Sequence, residues 1–424
     1  MRAMKDSGIA WIGEIPEEWE LVKTRRFFSN HKQVVGEEVD KYERLALTMN
    51  GVIKRSKDDS DGLQPEKFET YQILHKNELI FKLIDLENIK TSRVGLSPYT
   101  GLVSPAYIVL SSRFEDNRFF YYWFMFMYYN QVFNHLGGNG VRSALNAKDV
   151  LMLPVPNIQF PEQRRIADYL DRKCSQIDAI IARQQEVIEK LKAYKLSVIT
   201  EAVTKGLNPH APMKDSGVEW IGEIPEQWSV VPLTKQLKSI VDYRGKTPEK
   251  VDTGVFLVTA KNIKNGKIDY EISTEYVKVE DYEEIMHRGI PQIGDVLFTT
   301  EAPLGQVANV DRTDIALAQR IIKFSTNEHL DSYYLKYWIM SIGFQNFLMA
   351  LSTGSTALGI KASKLFMLPI TLPSIKEQQQ IVTYLDNKCV STEAAIMKKS
   401  SLIDSLIAYK RSLIYEIVTG KKEV

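Results

Sequence analysis

MKDSGIAWIGEIPEEW, residues 4–19, returns as MKDSGVEWIGEIPEQW at residues 213–228, with both tryptophans and the proline in register. A match of that length inside one chain is a duplication, and repeats decide an architecture before any single motif does. A second matched pair closes each half: LPVPNIQFPEQRRIADYLDRKC from Leu153 to Cys174, and LPITLPSIKEQQQIVTYLDNKC from Leu368 to Cys389. Further on, Ala193, Tyr194 and Lys195 recur as Ala408, Tyr409 and Lys410, and Val203 and Thr204 as Val418 and Thr419. The stretches between, residues 20–150 and 229–365, have diverged. They keep sparse common marks: Tyr122, Trp123 and Met125 against Tyr337, Trp338 and Met340, then a glycine-bearing turn, Gly137, Gly138 and Gly140 against Gly354. Repeated supports with unlike inserts predict one scaffold that presents two different recognition surfaces.

The closing segments carry a heptad seam. In the first, Leu170, Ile177, Leu191 and Val198 fall on one series and Cys174, Ile181, Ile188 and Ala202 on a second, four positions on. In the second copy, Leu385, Leu406 and Leu413 pair with the series Cys389, Ile396, Ile403 and Ile417. Apolar residues at this spacing predict two long helices able to pair with one another. Pro161 suits a first helical turn, Ser374 with Glu377 reads as a capping box, and Gly206 and Gly420 suit the stops. About 44 residues at 1.5 Å each give a rod on the order of 65 Å, a spacer rather than a core element. Polar residues interrupt the seam at Gln184, Thr392, Lys399, Lys195 and Lys410, and such residues fix register or meet a partner.

The bulk numbers bound the class. With 424 residues the chain is expected to hold two or three domains. Its 44% hydrophobic and 25% charged residues match a soluble globular protein. The 54 basic residues against 53 acidic ones leave a formal charge of +1, so any basic face is local. Cys174 and Cys389 lie at equivalent positions far apart in sequence, which fits small apolar seam residues and a reduced intracellular, cytoplasmic setting. The opening residues carry acids and no long apolar run, unlike a secretory signal. The aromatic run from Phe119 to Phe133, broken by Asn130 and Gln131, is too short to span a bilayer and reads as a buried helix.

No motif for catalysis is found. Gly245, Lys246 and Thr247 resemble the end of a phosphate-binding loop, but the earlier glycine that the loop needs would fall at Ile240. The six histidines, His31, His75, His135, His210, His287 and His329, show no metal-ligand spacing. A Gly-x-Ser-x-Gly elbow and an adenosyl-type glycine turn are both missing. Acid pairs such as Asp85 with Glu87, or Asp295 with Glu301, lack a suitably placed lysine for a nuclease.

Candidate DNA contacts come from composition. In the first insert Lys54, Arg55 and Lys57 cluster beside Gly51 and Asp58, followed by Lys82, Lys90 and Arg93. In the second, Tyr243, Arg244, Gly245, Lys246 and Thr247 precede Lys261, Asn262, Lys264, Asn265 and Lys267. Gln319 with Arg320, and Ser355, Thr356 and Lys361, are further candidates, with Asn139 and Arg142 as their rough counterparts in the first half. Lysines of this kind neutralise phosphates, while Arg, Asn and Gln can pair with base edges. A solvated turn is the alternative at every one of these positions.

Taken together, the WIGEIP openings at Trp11–Pro16 and Trp220–Pro225, the EQ…YLD segments at Glu162–Asp171 and Glu377–Asp386, and the order insert, helix, insert, helix resemble the specificity subunits (HsdS) of type I restriction-modification enzymes. The resemblance spans nearly the whole chain. It implies an α+β fold: two target-recognition domains, residues 1–152 and 208–366, separated by two long antiparallel coiled-coil helices, residues 153–207 and 367–424, in a pseudo-twofold particle. It implies two methylation subunits docked on the helices, with Glu162, Gln163, Tyr194, Lys195, Glu377, Gln378, Tyr409 and Lys410 as candidate contacts. Restriction and translocation subunits complete the enzyme. S-adenosylmethionine and ATP then belong to those partners, and this chain holds no cofactor and no metal. The target is double-stranded DNA, read in two unlike halves about one helical turn apart, with a gap that the helices set. A coiled-coil scaffold joining two protein-binding domains, and an enzyme carrying its own recognition domains, are the competing classes.

Overall fold

The computed structural model describes residues 2–49, 51–59, 67–84, 86, 93–136, 144–243, 248–354 and 358–424. Two long helices dominate it, Phe160–Lys205 and Ile375–Val418. At 1.5 Å per residue the first is about 69 Å long. The glycines that follow, Gly206 and Gly420, both take φ near +70°, a stop that a residue with a Cβ resists. Each helix is divided between two compact units, residues 1–184 with 401–424, and residues 185–400. Every unit therefore pairs the first half of one long helix with the last half of the other, as antiparallel partners must.

The predicted seam is buried at Leu170, Cys174, Ile177, Ile188, Ala202, Leu385, Leu413 and Ile417 and half-buried at Ile181, Leu191, Val198, Cys389, Ile396, Ile403 and Leu406, with Ile199, Val203, Ile381 and Ile414 joining it unpredicted. In the first unit Leu170, Cys174 and Ile177 share a core with Leu413, Ile414 and Ile417. In the second, Ile199, Ala202 and Val203 share one with Ile381 and Leu385. The polar interruptions at Lys195 and Lys410 form cross-helix ion pairs, Lys195 with Glu393 at 3.3 Å and Lys410 with Asp178 at 2.6 Å. Both lysines and both acids are 215 positions apart, so the duplication has copied the pair.

Mixed sheets complete each unit. The first unit has one four-stranded sheet in the order Gly51–Arg55, Arg44–Thr48, Gly101–Val103, Gln72–Leu74, and a second in the order Phe28–Ser29, Ile108–Ser112, Leu79–Phe81, Val94–Leu96. The second unit has a sheet of Leu237–Asp242, Ile321–Thr326, Val296–Thr299 and Val307–Asn309, beside a three-stranded sheet of Tyr276–Val277, Val255–Val258 and Ile315–Leu317. The aromatic run expected to be one buried helix is two, Arg118–Tyr129 and Val132–Leu136, because Gln131 takes φ +55°. Its rings are buried as expected: Phe119, Phe120, Trp123, Phe124 and Phe126 are each at most 1% exposed.

Two boundary expectations change. The LPVPN and LPITL segments, assigned to the spacers, are strands of the domains: Pro154–Asn157 pairs with Glu20–Lys23, and Pro369–Leu372 with Ser229–Pro232, closing each insert on itself. The capping box at the second long helix is half made. Ser374 Oγ accepts from the Glu377 amide at 3.3 Å, while the Glu377 carboxylate accepts from Trp228 Nε1 at 3.0 Å.

One buried charge pair distinguishes the second unit. Lys323 Nζ lies 2.9 Å from Asp295 Oδ2, with both side chains under 10% exposed. Lys323 stands opposite Leu297 in its ladder, whereas the first unit has Val109 opposite Ile80. Removing one partner of such a pair strands the other charge away from water. Lys323→Met is therefore expected to destabilise the second unit by about 3–5 kcal/mol. Adding Asp295→Leu should recover only part of this, since Asp295 also accepts from the Gln292 amide at 2.9 Å. Denaturant midpoints of the two variants check it; an unchanged midpoint for Lys323→Met would show that the pair is not structural.

Candidate nucleic-acid interface

Part of the attachment of each domain to its helix is repeated contact for contact. Tyr122 Oη donates to Asp171 at 2.7 Å, and Tyr337 Oη to Asp386 at 2.5 Å. Burial, and then the facing carboxylate, push both phenols well above their ordinary range. The indoles beside them, Trp123 and Trp338, donate to the carbonyls of Pro154 and Pro369 at 2.9 and 2.8 Å. Gln163 and Gln378 turn back from the helix starts to donate to Ile158 and Pro373 carbonyls. These two glutamines were expected at a subunit interface. They are at most 3% exposed and serve as internal caps, which corrects that expectation. Glu162 and Glu377 are likewise engaged internally, with Arg2 and Trp228. Tyr194 and Tyr409, by contrast, are 51% and 53% exposed.

The basic candidates of the first insert are surrounded by acids. Lys54, on an edge strand, pairs with Glu43 at 2.5 Å and lies 5.2 Å from the Tyr99 ring centre. Arg55 bonds Asp59 at 2.6 Å, and Lys57 donates to the Val39 carbonyl at 2.8 Å. Arg93 is 3% exposed and cannot meet DNA as placed, another correction; both it and Lys82 are engaged within the unit. Lys90, Asn139 and Arg142 lie outside the described residues, as do Arg244, Lys246, Thr247, Ser355 and Thr356.

In the second insert Tyr243 is buried and donates to the Gly289 carbonyl, so it is a core residue rather than a surface contact. Asn262 is also corrected. It is fully buried, accepting from the Thr259 amide and hydroxyl and donating to Asp269 and Ser273 carbonyls, a turn brace of the kind that short amides make. Lys261 and Lys264 are exposed, whereas Lys267 reaches Glu393 on the second long helix at 2.9 Å.

The structure gathers the remaining candidates at two places. Gln319 lines a groove with Glu249, Asp281, Glu284, His287 and Arg288, beneath which Tyr243 sits. Arg320 and Lys361, 41 residues apart, are brought near one another by one strand end. Thr300 donates from its amide to Arg320 O at 2.9 Å and accepts from the Ile360 amide at 3.0 Å, while Arg320 Nε pairs with Glu301 at 2.8 Å. The first unit repeats this junction, with Leu145 donating to Leu83 and Ile84 bridged to Ala144, next to Lys82. Sequence reading found the turns but missed their joining strand end and the groove's acids, which have no local pattern. Among the described residues, no group of three or more His, Cys, Asp or Glu could hold a metal ion, and no helix is long and apolar enough to cross a membrane.

A family model described as the type I restriction modification DNA specificity domain matches residues 226–399. A Methanocaldococcus jannaschii protein carrying the type I specificity-subunit designation MjaX is 24% identical over 97% of this chain and 93% of its own length. The chain is similar to type I restriction-modification specificity subunits over nearly its whole length. Two further specificity subunits are similar to parts of it. The MjaVIII specificity subunit of the same organism is 29% identical over 65% of this chain, a match that spans 60% of that subunit. The EcoBI specificity subunit of Escherichia coli is 25% identical over 66% of this chain and 65% of its own length. A solved chain from work on complex assembly and conformational transition of the type I R-M system shares the fold, with TM-score 0.67, 15% identity, and 95% and 98% of the two chains covered.

Both cysteines, Cys174 and Cys389, sit beside the attachment tyrosines. Burial pushes the Cys174 thiol up to about 11 and raises Cys389 too, with Lys195 acting against it there. Below its pKa a thiol is protonated and unreactive, so at pH 8 Cys174 should react about a hundred-fold more slowly with a disulfide reagent than an exposed thiol. Its rate should rise with each pH unit until unfolding intervenes. Mass-resolved labelling across pH 7–9 checks this, and rapid labelling at pH 7 would contradict the packing.

Proposed function

We propose that each sheet domain reads one half of a bipartite, asymmetric DNA target, while the long helices set the gap and dock two methylation subunits. The observation that carries this reading is the contrast within the duplication. Tyr–Asp, Trp–carbonyl, Gln cap and Lys–acid contacts recur at a spacing of 215 residues, while the surface loops they support do not resemble each other. Identical mounts with unlike surfaces suit two unlike half-sites. Exposed lysines such as Lys261 and Lys264 would neutralise phosphates and give salt-dependent affinity. Arg320 and Gln319 can pair with base edges. The chain itself supplies no catalytic group in this reading. S-adenosylmethionine and ATP are bound by the methylation and restriction partners, and the family resemblance supports that division of labour.

Expression with the cognate methylation subunit, followed by genome-wide mapping of adenine methylation, tests the proposal. A single split motif with unlike halves is expected; methylation without a motif, or none from a stably assembled complex, would leave the scaffold reading ahead. A second expectation separates contact types. Arg320→Ala should cost about 1–3 kcal/mol of specific binding and relax the motif at one position. Lys54→Ala, whose ammonium already faces Glu43, should leave the motif unchanged. Binding titrations on matched and mismatched duplexes read both, and an intact motif with Arg320→Ala would remove that residue from base reading.

A further inference from the structure

The copied contacts are common to both units, and each unit adds a private attachment between domain and helix. In the first unit that attachment is Arg118, whose guanidinium meets Asp171 at 2.6 Å and Asp168 at 2.8 Å on the long helix, and Asp116 at 2.6 Å in its own domain. The 215-residue register places Tyr333 and Thr383 where Arg118 and Asp168 stand. The second unit therefore cannot make this clamp.

It makes another. The hairpin Ile263–Lys264 with Lys267–Ile268 turns through Asn265 at φ +53° and Gly266 at φ +83°. Its tip is tight against the domain: a Cβ on Gly266 would stand 2.9 Å from Met340 Sδ, and the Asn265 amide donates to Gln306 at 3.3 Å. Just past the tip, Lys267 donates to Glu393 at 2.9 Å, and the same carboxylate accepts from Lys195 at 3.3 Å. Burial works against the Glu393 charge, yet the two lysines hold its carboxyl below the ordinary range. The counterpart acid in the first unit, Asp178, is met among the described residues by Lys410 and by no cation from its insert.

We propose that Lys267 and Glu393 form the positioning clamp of the second domain, joining its hairpin to the helix pair and so fixing the gap at which the second half-site is read. The clamp rests on the bipartite reading above. Lys267 is 71% exposed, so the bond is weak and screened by salt, and the gap is correspondingly tolerant at high ionic strength.

The test uses the full chain with its methylation subunit and a plasmid library in which the gap of the wild-type motif is varied by one base pair either way. Lys267→Gln is expected to raise methylation at off-length sites about five-fold relative to the wild-type length, the ratio that loss of one such contact yields. Both half-site sequences should stay as they were, and Lys267→Arg should restore wild-type gap choice. Lys195→Gln, which breaks the helix pair's own bond to Glu393, should lower the thermal midpoint with less effect on the gap. A uniform drop across all gap lengths for Lys267→Gln would make Lys267 a phosphate contact and overturn the clamp, as would an unchanged gap profile. A wild-type complex with no split motif would instead remove the bipartite reading on which the clamp depends.

Discussion

Each sheet domain is fastened to its long helix by one tyrosine hydroxyl, Tyr122 to Asp171 and Tyr337 to Asp386, and the rest of each unit is arranged around that bond. The neighbouring indole holds the strand that closes the insert, and the glutamine one turn into the helix caps the loop that follows that strand. The strength lies elsewhere. Burying a side chain such as Leu170 or Leu385 is worth about 1.5–3 kcal/mol, whereas an exposed ion pair contributes about 0–1 kcal/mol. The apolar seam therefore holds the helices together, and the Lys195–Glu393 and Lys410–Asp178 pairs choose between possible registers.

The parts of this architecture that follow from local rules were legible in the sequence. The duplication, the seam positions, the glycine stops and the burial of the aromatic run depend on periodicity and on chain conformation, which a linear reading contains. What it could not show depends on partners distant along the chain. Lys267 reads as a phosphate contact until Glu393, 126 residues away, is placed beside it. Asn262 reads as a base-pairing amide until four backbone and hydroxyl groups surround it. Gln163 and Gln378 recur because the helix start needs a cap, and recurrence alone does not separate a cap from a contact.

The same comparison explains why the two units tolerate different inserts. Contacts between domain and helix fall into a copied set and a private set. The copied set rests on buried donors, Tyr122, Trp123 and Gln163 with Tyr337, Trp338 and Gln378, and a change there leaves a cavity or an unpaired polar group. The private set, Arg118 in one unit and Lys336 with the Lys267 hairpin in the other, includes partly exposed groups and can be replaced by a different clamp when the insert changes. A scaffold built this way can exchange its reading surfaces without disturbing its seam.

Pairing of the surface cations with neighbouring acids has a consequence for DNA binding on the proposed reading. Lys54, Arg55 and Arg320 each hold a carboxylate, so meeting a phosphate means exchanging one anion for another. That exchange releases less favourable energy than neutralising a phosphate with a free lysine, and it lowers affinity for any sequence alike. Base-edge hydrogen bonds from Arg320 meet the same exchange, but they form only where the edge fits, so the cost is recovered at matched sites alone. A near-neutral surface with internally matched charges thus holds down non-specific binding more than specific binding, and the ratio of the two, rather than either affinity, decides how well a target is found among competing sites.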